Sequence, residues 1–417
     1  MATQPYVMAQ TEPVRVSRWH MDLRSIGGAT RAVLLLRIVL QVVALAVSAY
    51  APQTALERRI AVVPGAAPLG QWLQRVIVMP WMRYDANWYQ RIVDHGYRPN
   101  EGTAAFHPLY PLLATPIARL LGDPGGLALL LISTLASVAL CVLFARYVAQ
   151  VYGPELAQPA GWLLLVGPPA FVLLAPYSES IFLALAVAAL FALQHERWWL
   201  AGLLGGLAAL TRQQGLALAL PLAWALLPAV RERRTHIWNG AALLLVPLGY
   251  GLVVAYRALA FGELSALAHT RGPADFLYTL LVSSSAETVA AGQRIAWPWE
   301  TFAAELHLIS TSANNYYMLI DLILGWAAVV IVLVGLRWMN QLDRLYAIGI
   351  VALALCYYNG DLSPYMALPR HVMLAFPLWI VLAGWAGRGL RLFALAEIGL
   401  LINLFLAGAF VYQGWIP

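Results

Sequence analysis

The chain has 417 residues, 61% of them hydrophobic and only 11% charged, with a net charge of +6. Soluble domains carry about 25% charged residues, so a soluble fold is excluded. The positive charge suits anionic lipid and not nucleic acid, because no soluble basic region exists to carry it.

Apolar runs recur to the end and are too long and too uniform for barrel strands, which would alternate over about 10 residues. The expected fold is therefore an all-α polytopic membrane protein with one membrane domain over 32–412. All 26 basic residues other than His are Arg, the side chain suited to planar contact with phosphate. The two cysteines, Cys141 and Cys356, lie in apolar runs, against a disulfide framework or a metal site.

Residues 1–31 are polar and Arg-bearing and read as a cytoplasmic tail, followed by a first span over about 32–50. Arg37, one turn into it, is expected to snorkel to the headgroups. A first extracytoplasmic loop then covers 51–124. It holds a dense polar and aromatic stretch, Trp81-Met82-Arg83-Tyr84-Asp85-Ala86-Asn87-Trp88-Tyr89 and on to Tyr110 and Pro111. On a wheel of about 100° per residue from Asp85, Trp88, Tyr89, Ile92, Val93 and Gly96 fall within roughly 80° of it. Asn87, Gln90, Arg91 and Asp94 fall opposite. The pattern predicts a surface helix with Asp85 on its apolar face, where a carboxylate is costly unless it has a partner or a task. Capping of the helix is the simpler reading of the same residue. Residues 106–121, broken by Pro108, Pro111 and Pro116, read as a second surface or re-entrant helix.

Further spans are expected at about 125–150, 159–176, 178–195, 198–212, 215–230, 238–260, 316–337, 343–358, 369–386 and 390–412, about eleven in all. Threaded from an inside N-terminus, they place Arg146, Arg197, Arg231 to Arg234, Arg337, Arg344, Arg388 and Arg391 in inner connections, as the positive-inside rule requires. The outer side receives Asp85, Pro176-Tyr177-Ser178-Glu179-Ser180, Thr211-Arg212-Gln213-Gln214-Gly215, the loop 261–315 and Asp361-Leu362-Ser363-Pro364-Tyr365, leading to Pro369-Arg370-His371. Polar elements converging from separate loops are what a site looks like. No Gly-rich phosphate loop, nucleotide signature or metal-ligand spacing is present. No internal repeat is visible, which weighs mildly against a transporter.

These residues resemble the PIG-V-like mannosyltransferases. The resemblance rests on Arg83-Tyr84-Asp85-Ala86-Asn87-Trp88-Tyr89 with Gly96-Tyr97, and on Ala105-Phe106-His107-Pro108-Leu109-Tyr110-Pro111-Leu112. It continues at Tyr177 to Ser180, at Thr211 to Gly215 where the family has Thr-Arg-Ser-Asn-Gly, and at Pro369-Arg370-His371 where it tends to have Pro-Arg-Tyr. It implies a GT-C fold that moves a sugar from a polyprenyl-phosphate donor to a hydroxyl on the extracytoplasmic face. The acceptor would be a glycolipid, a glycan or a protein.

One carboxylate base suffices for an inverting displacement from a lipid phosphate. Asp85 is the expected base, with Arg212, Arg370 and His371 on the donor phosphate. Arg83, Trp88, Tyr89, Phe106, His107, Tyr110, Tyr177, Glu179 and Gln213 are the expected substrate-positioning residues. Arg83 pairing with Asp85 and Arg212 pairing with Glu179 or Asp361 are structural alternatives. No cofactor or metal is required on this reading, and the expected location is a bacterial plasma membrane. The rival is a transporter or flippase of a lipid or small solute, its pathway lined by the same polar groups.

Overall fold

The computed structural model describes residues 23–50, 68–98, 102–122, 125–261, 293–311 and 316–413. Expectations for the tail before residue 23, for 51–67, for 262–292 and for 414–417 lie outside the described residues. The fold is a helical bundle. Six helices among the described residues are long and apolar enough to cross a membrane: Ile26–Ser48, Gly126–Val151, Gln213–Arg231, Ile237–Leu259, Tyr316–Trp338 and Leu390–Val411. The protein is thus a multi-pass membrane protein, and its other apolar helices are shorter.

In chain order the α-helices used below are α1 (Leu23–Ser48), α2 (Pro68–Leu73), α3 (Asp85–His95), α4 (Leu109–Leu121), α5 (Gly126–Val151), α6 (Pro154–Val166), α7 (Glu179–Gln194), α8 (Trp198–Thr211) and α9 (Ala219–Arg231). After them come α10 (Leu245–Phe261), α11 (Pro298–Thr311), α12 (Tyr316–Gly335), α13 (Gln341–Leu355), α14 (Leu368–Val372), α15 (Pro377–Ala386) and α16 (Leu390–Val411). Two short antiparallel strands, β1 (Arg294–Ile295) and β2 (Tyr357–Tyr358), pair Arg294 with Tyr358 and Ile295 with Tyr357.

Three expectations change. First, α1 begins at Leu23, inside the stretch read as tail, because nothing from Leu23 onward breaks the helix. Second, the spans expected at 159–176 and 369–386 are interrupted. Prolines at 168, 169 and 377 cannot donate to a helical ladder, so the chain breaks after Val166 and again before Pro377. Buried side chains satisfy the backbone that the first break frees. Asn403 Oδ1 accepts from Phe171 N at 2.7 Å, and Ser137 Oγ donates to Leu173 O at 2.7 Å. At the second break Tyr346 Oη donates to Leu374 O at 2.7 Å. Irregular backbone at such depth is tolerated only when buried in protein and satisfied in this way. Third, Arg37 does not snorkel. Its guanidinium donates to Leu174 O and lies 5.3 Å from the Trp81 ring centroid, serving the same first break.

The stretch around Asp85 is lodged in the bundle and does not lie on its surface. Trp81 is fully buried and its Nε1 donates to Gln41 Oε1 of α1 at 2.9 Å. On α3, Tyr89, Ile92 and Val93 are buried as the wheel predicts, but Gln90 from the opposite face is buried too. The helix is therefore covered on more than one side, by α4 and by the start of α5, where the amide of the capping Gly125 donates to Asp94 Oδ1 at 2.7 Å. Helix α4 is half-submerged, with Tyr110, Ala114 and Ala118 inward and Leu112, Leu113 and Leu120 exposed.

Backbone proximity positions the remaining wall. A Cβ on Gly249 of α10 would lie 2.1 Å from Gly206 O of α8, so these helices meet backbone to backbone. A Cβ on Gly215 would lie 2.2 Å from Ala209 N, so the turn after α8 folds back onto it. Together these contacts bring Arg212, at the end of α8, and Arg257, on α10, to one cavity.

Candidate active site

The cavity has a volume of about 200 Å³ and is lined by Asp85, Tyr89, Phe106, His107, Arg212, Gln213, Gln214, Arg257, Gln293, Tyr357, Asn359, Met366, Arg370 and His371, among others. Asp85 is the first residue of α3. The residue before it, Tyr84, has φ +48°, a conformation costly for a side chain of this size, and its ring packs on Phe410 at 5.6 Å. Strain of this kind persists only where packing over-determines it. Ala367, just before the helix carrying Arg370, has φ +63° and is held by its amide donating to buried Asp321 Oδ2 at 3.1 Å. Both segments bearing the central charges are thus entered through a non-glycine residue with positive φ.

The charges form a connected network. Arg370 donates from Nη2 to Asp85 Oδ2 at 2.6 Å and from Nε to Glu179 Oε1, while Arg212 Nη1 donates to the same Glu179 oxygen at 2.5 Å. Asp85 retains 29% side-chain exposure, whereas Glu179 is fully buried. A buried carboxylate is stable only when paired, and here one carboxylate holds two guanidinium groups apart and in place. The Arg370 guanidinium also lies 4.6 Å from the Tyr177 ring centroid.

Of the expected site residues, Asp85, Arg212, Arg370, His371, Tyr89, Phe106, His107 and Gln213 line the cavity. Glu179 and Tyr177 lie behind it, under the arginines. The expected Arg212–Glu179 pair is present, but it forms part of the site instead of replacing it. Three residues are placed elsewhere. Arg83 is buried and donates to Val411 O at 3.1 Å, and the cation meeting Asp85 is Arg370. Tyr110 turns to α5, donating to Leu129 O at 2.9 Å with Ser133 Oγ at 2.7 Å. Trp88 stacks on Phe106 and meets the Arg91 guanidinium at 4.7 Å, outside the lining.

Two neutral groups complete the inner wall. His107 Nδ1 lies 2.8 Å from Ala209 O, and since a carbonyl can only accept, Nδ1 carries the proton. Burial, and then the neighbouring Arg257, push the His107 pKa down to about 3. Tyr89 donates to Ser178 Oγ at 3.1 Å and its pKa is pushed up to about 12 by burial. Neither group titrates near neutrality, and Asp85 is the carboxylate among the described residues that line the cavity.

The sequence reading missed Arg257, Gln293, Tyr357 and Asn359. Arg257 carried a signal, an arginine within an apolar helical run. Tyr357 falls at the end of the span expected at 343–358, and Gln293 and Asn359 lie in connections.

No family model matches the chain. GPI alpha-1,6-mannosyltransferase 2 of Mus musculus is 34% identical over 165 residues, which is 37% of this chain and 33% of that protein. The Rattus norvegicus protein of the same name is 36% identical over 168 residues, again 37% of this chain and 33% of the relative. The match thus spans about a third of the curated relatives' length. Among solved structures, ArnT from Cupriavidus metallidurans bound to undecaprenyl phosphate is 17% identical, with a TM-score of 0.45, covering 90% of this chain and 63% of that one. The sequence matches agree with the relationship to GPI mannosyltransferases that the motifs carry.

Proposed function

We propose that this relative of GPI alpha-1,6-mannosyltransferase 2 is an inverting GT-C glycosyltransferase that moves a sugar, mannose in the first instance, from a polyprenyl phosphate to an acceptor hydroxyl. The observation that carries the reading is the Asp85–Arg370–Glu179–Arg212 network on the wall of a cavity that also contains Arg257.

In this reading Asp85 removes the acceptor hydroxyl proton through Oδ1 while Arg370 holds Oδ2. The freed oxygen attacks the anomeric carbon from the face opposite the phosphate, and the C1–O bond to the phosphate breaks. Arg212 and Arg257 face the phosphate oxygens, which take up negative charge as the bond breaks. Preorganised cations are the dominant catalytic device for such a step, and a base in hydrogen-bond reach adds typically 10²–10⁴-fold. Arg370, committed to two carboxylates, orients the base more than it binds the phosphate. His107 and His371 are neutral liners beside it. Among the described residues Asp85 is the carboxylate lining the cavity, with Glu179 sealed behind the arginines, and this favours a single displacement over a glycosyl-enzyme. The arginines provide the positive charge, so a chelator leaves the rate unchanged on this reading.

The protein is read as lying in a bacterial plasma membrane with the N-terminus inside and the cavity outside. Incubation of protein in nanodiscs with polyprenyl-phosphate mannose and sugar or peptide acceptors tests the function. Acceptor-dependent release of polyprenyl phosphate is expected. Passage of lipid across liposomes without any release would instead identify a flippase.

A further inference from the structure

Two carboxylates lie inside the six membrane-spanning helices, and they are placed in opposite ways. Asp321 of α12 is buried and accepts from Ala367 N at 3.1 Å. Glu397 of α16 is exposed on the outside of the bundle and has no hydrogen bond or ion pair among the described residues. It stands about 11 Å beyond Leu390, at the helical rise of about 1.5 Å per residue. Leu390, Phe393, Ile398, Leu401 and Phe405 share its exposed face, whereas Leu392, Gly399, Asn403, Leu406 and Phe410 turn to the bundle.

A carboxyl group in hydrocarbon is costly and ordinarily faces the protein interior or a partner. The nearby cations of this chain are engaged or turned elsewhere. Helix α1 packs beside α16, where a Cβ on Gly408 would lie 3.5 Å from Val47, but Arg31 and Arg37 of α1 donate to Gly27 O and Leu174 O. Arg391, six residues before Glu397, is about 120° around the helix from it. The face itself has the form of a helix-packing seam. Leu390, Ala394, Glu397 and Leu401 recur at intervals of four, three and four residues, the spacing that keeps one edge of a helix against a partner. Ala394, one turn from Glu397, is small and exposed, so a second backbone can approach there.

We propose that α16 is the contact between two copies of this protein, paired about a two-fold axis along the membrane normal with the two Glu397 carboxyl groups facing each other. This goes beyond the glycosyltransferase reading and does not depend on it. A second copy with the same topology carries its own Glu397 at the same depth, so the seam is complementary to itself. A carboxylic acid offers both a donor and acceptor lone pairs, so two of them across the axis satisfy each other. One polar side chain in an otherwise apolar seam also fixes register and the number of helices.

The test co-expresses the full chain in two forms with different affinity tags and solubilises the membranes in a mild detergent. Each tag retrieves the other form. Glu397→Leu lowers that recovery about tenfold, the scale of an interhelical hydrogen bond in lipid. Glu397→Gln retains it, because an amide still donates and accepts. Ala394→Trp leaves Glu397 in place, blocks the close approach and lowers recovery as well. Both weakening variants keep the unfolding midpoint of the wild type, since the face lies outside the bundle. In a Cys356→Ala background, oxidation of membranes links Ala394→Cys or Leu401→Cys into dimers of the chain with itself. Leu333→Cys, exposed on α12, stays monomeric.

Copies that fail to retrieve one another, or that do so equally well in Glu397→Leu, overturn the proposal. So does loss of recovery in Glu397→Gln, which identifies the partner as a cation on another protein. Cross-linking of Leu333→Cys as readily as of Ala394→Cys overturns it too, as crowding without a defined face.

Discussion

Glu179 is where one residue decides the site. It is fully buried, and both Arg212 and Arg370 donate to its Oε1. Removing one partner of a buried ionic group leaves charge uncompensated in a low-dielectric setting, at a cost of about 3–5 kcal/mol. Glu179→Gln keeps the shape and removes the charge. It is expected to destabilise by that order in denaturant unfolding of the solubilised protein, and to lose transfer as the arginines swing. A change under about 1 kcal/mol would show that the arginines find other anions.

His107 offers a second prediction at this scale. Its folded-state pKa, about 3, lies below the ordinary histidine value of about 6.5. Below pH 6.5 the unfolded chain takes up a proton that the folded one refuses. Stability is therefore full above about pH 6.5 and falls as the pH drops towards 3. His107→Asn should flatten this slope in thermal unfolding between pH 4 and 7, and ¹⁵N-histidine NMR should find the ring neutral throughout that range.

At the scale of elements, the breaks beside the site set its geometry. The chain between α6 and α7 is held by Asn403 Oδ1, which satisfies Phe171 N. Asn403→Leu leaves that amide unpaired in the core, and a buried unsatisfied group costs about 1–3 kcal/mol. The expected result is a lowered unfolding midpoint with the donor KM unchanged, because Asn403 does not line the cavity.

The same elements show what the sequence reveals. Asp85, Arg212 and Arg370 were legible because ionic residues in an apolar chain need a reason. The wheel found the buried face of α3 but missed Gln90, because periodicity cannot see a second covering neighbour. Tyr110 was misassigned, since an aromatic ring near a motif is equally suited to the core, and here its hydroxyl closes on α5. Gln293 and Asn359 were invisible because the contact between them joins residues far apart in sequence, across a β-pairing two residues long. Span boundaries erred where prolines, the pair at 168 and 169 and the single Pro377, let side chains replace the backbone ladder.

At the scale of the whole molecule, the inner arginine connections and the cavity are read as lying at opposite ends of the bundle. Leu362, 87% exposed in the turn after β2, should be outside, and Glu232, beside Arg231 and Arg233, inside. In a Cys356→Ala background, Leu362→Cys should react with a membrane-impermeant maleimide on intact cells, and Glu232→Cys should react only after lysis. Cys141 is buried and should stay silent. The reverse pattern would turn the protein over and put the donor on the cytoplasmic side.

The central claim is that Asp85, held by Arg370, removes the acceptor proton. The most direct measurement compares wild type and Asp85→Asn for single-turnover transfer from polyprenyl-phosphate mannose, with polyprenyl phosphate binding measured in parallel. Transfer should fall by about 10²–10⁴-fold while binding changes by less than a few fold, since Asn still accepts from Arg370. Full transfer by Asp85→Asn with donor bound normally would contradict the account.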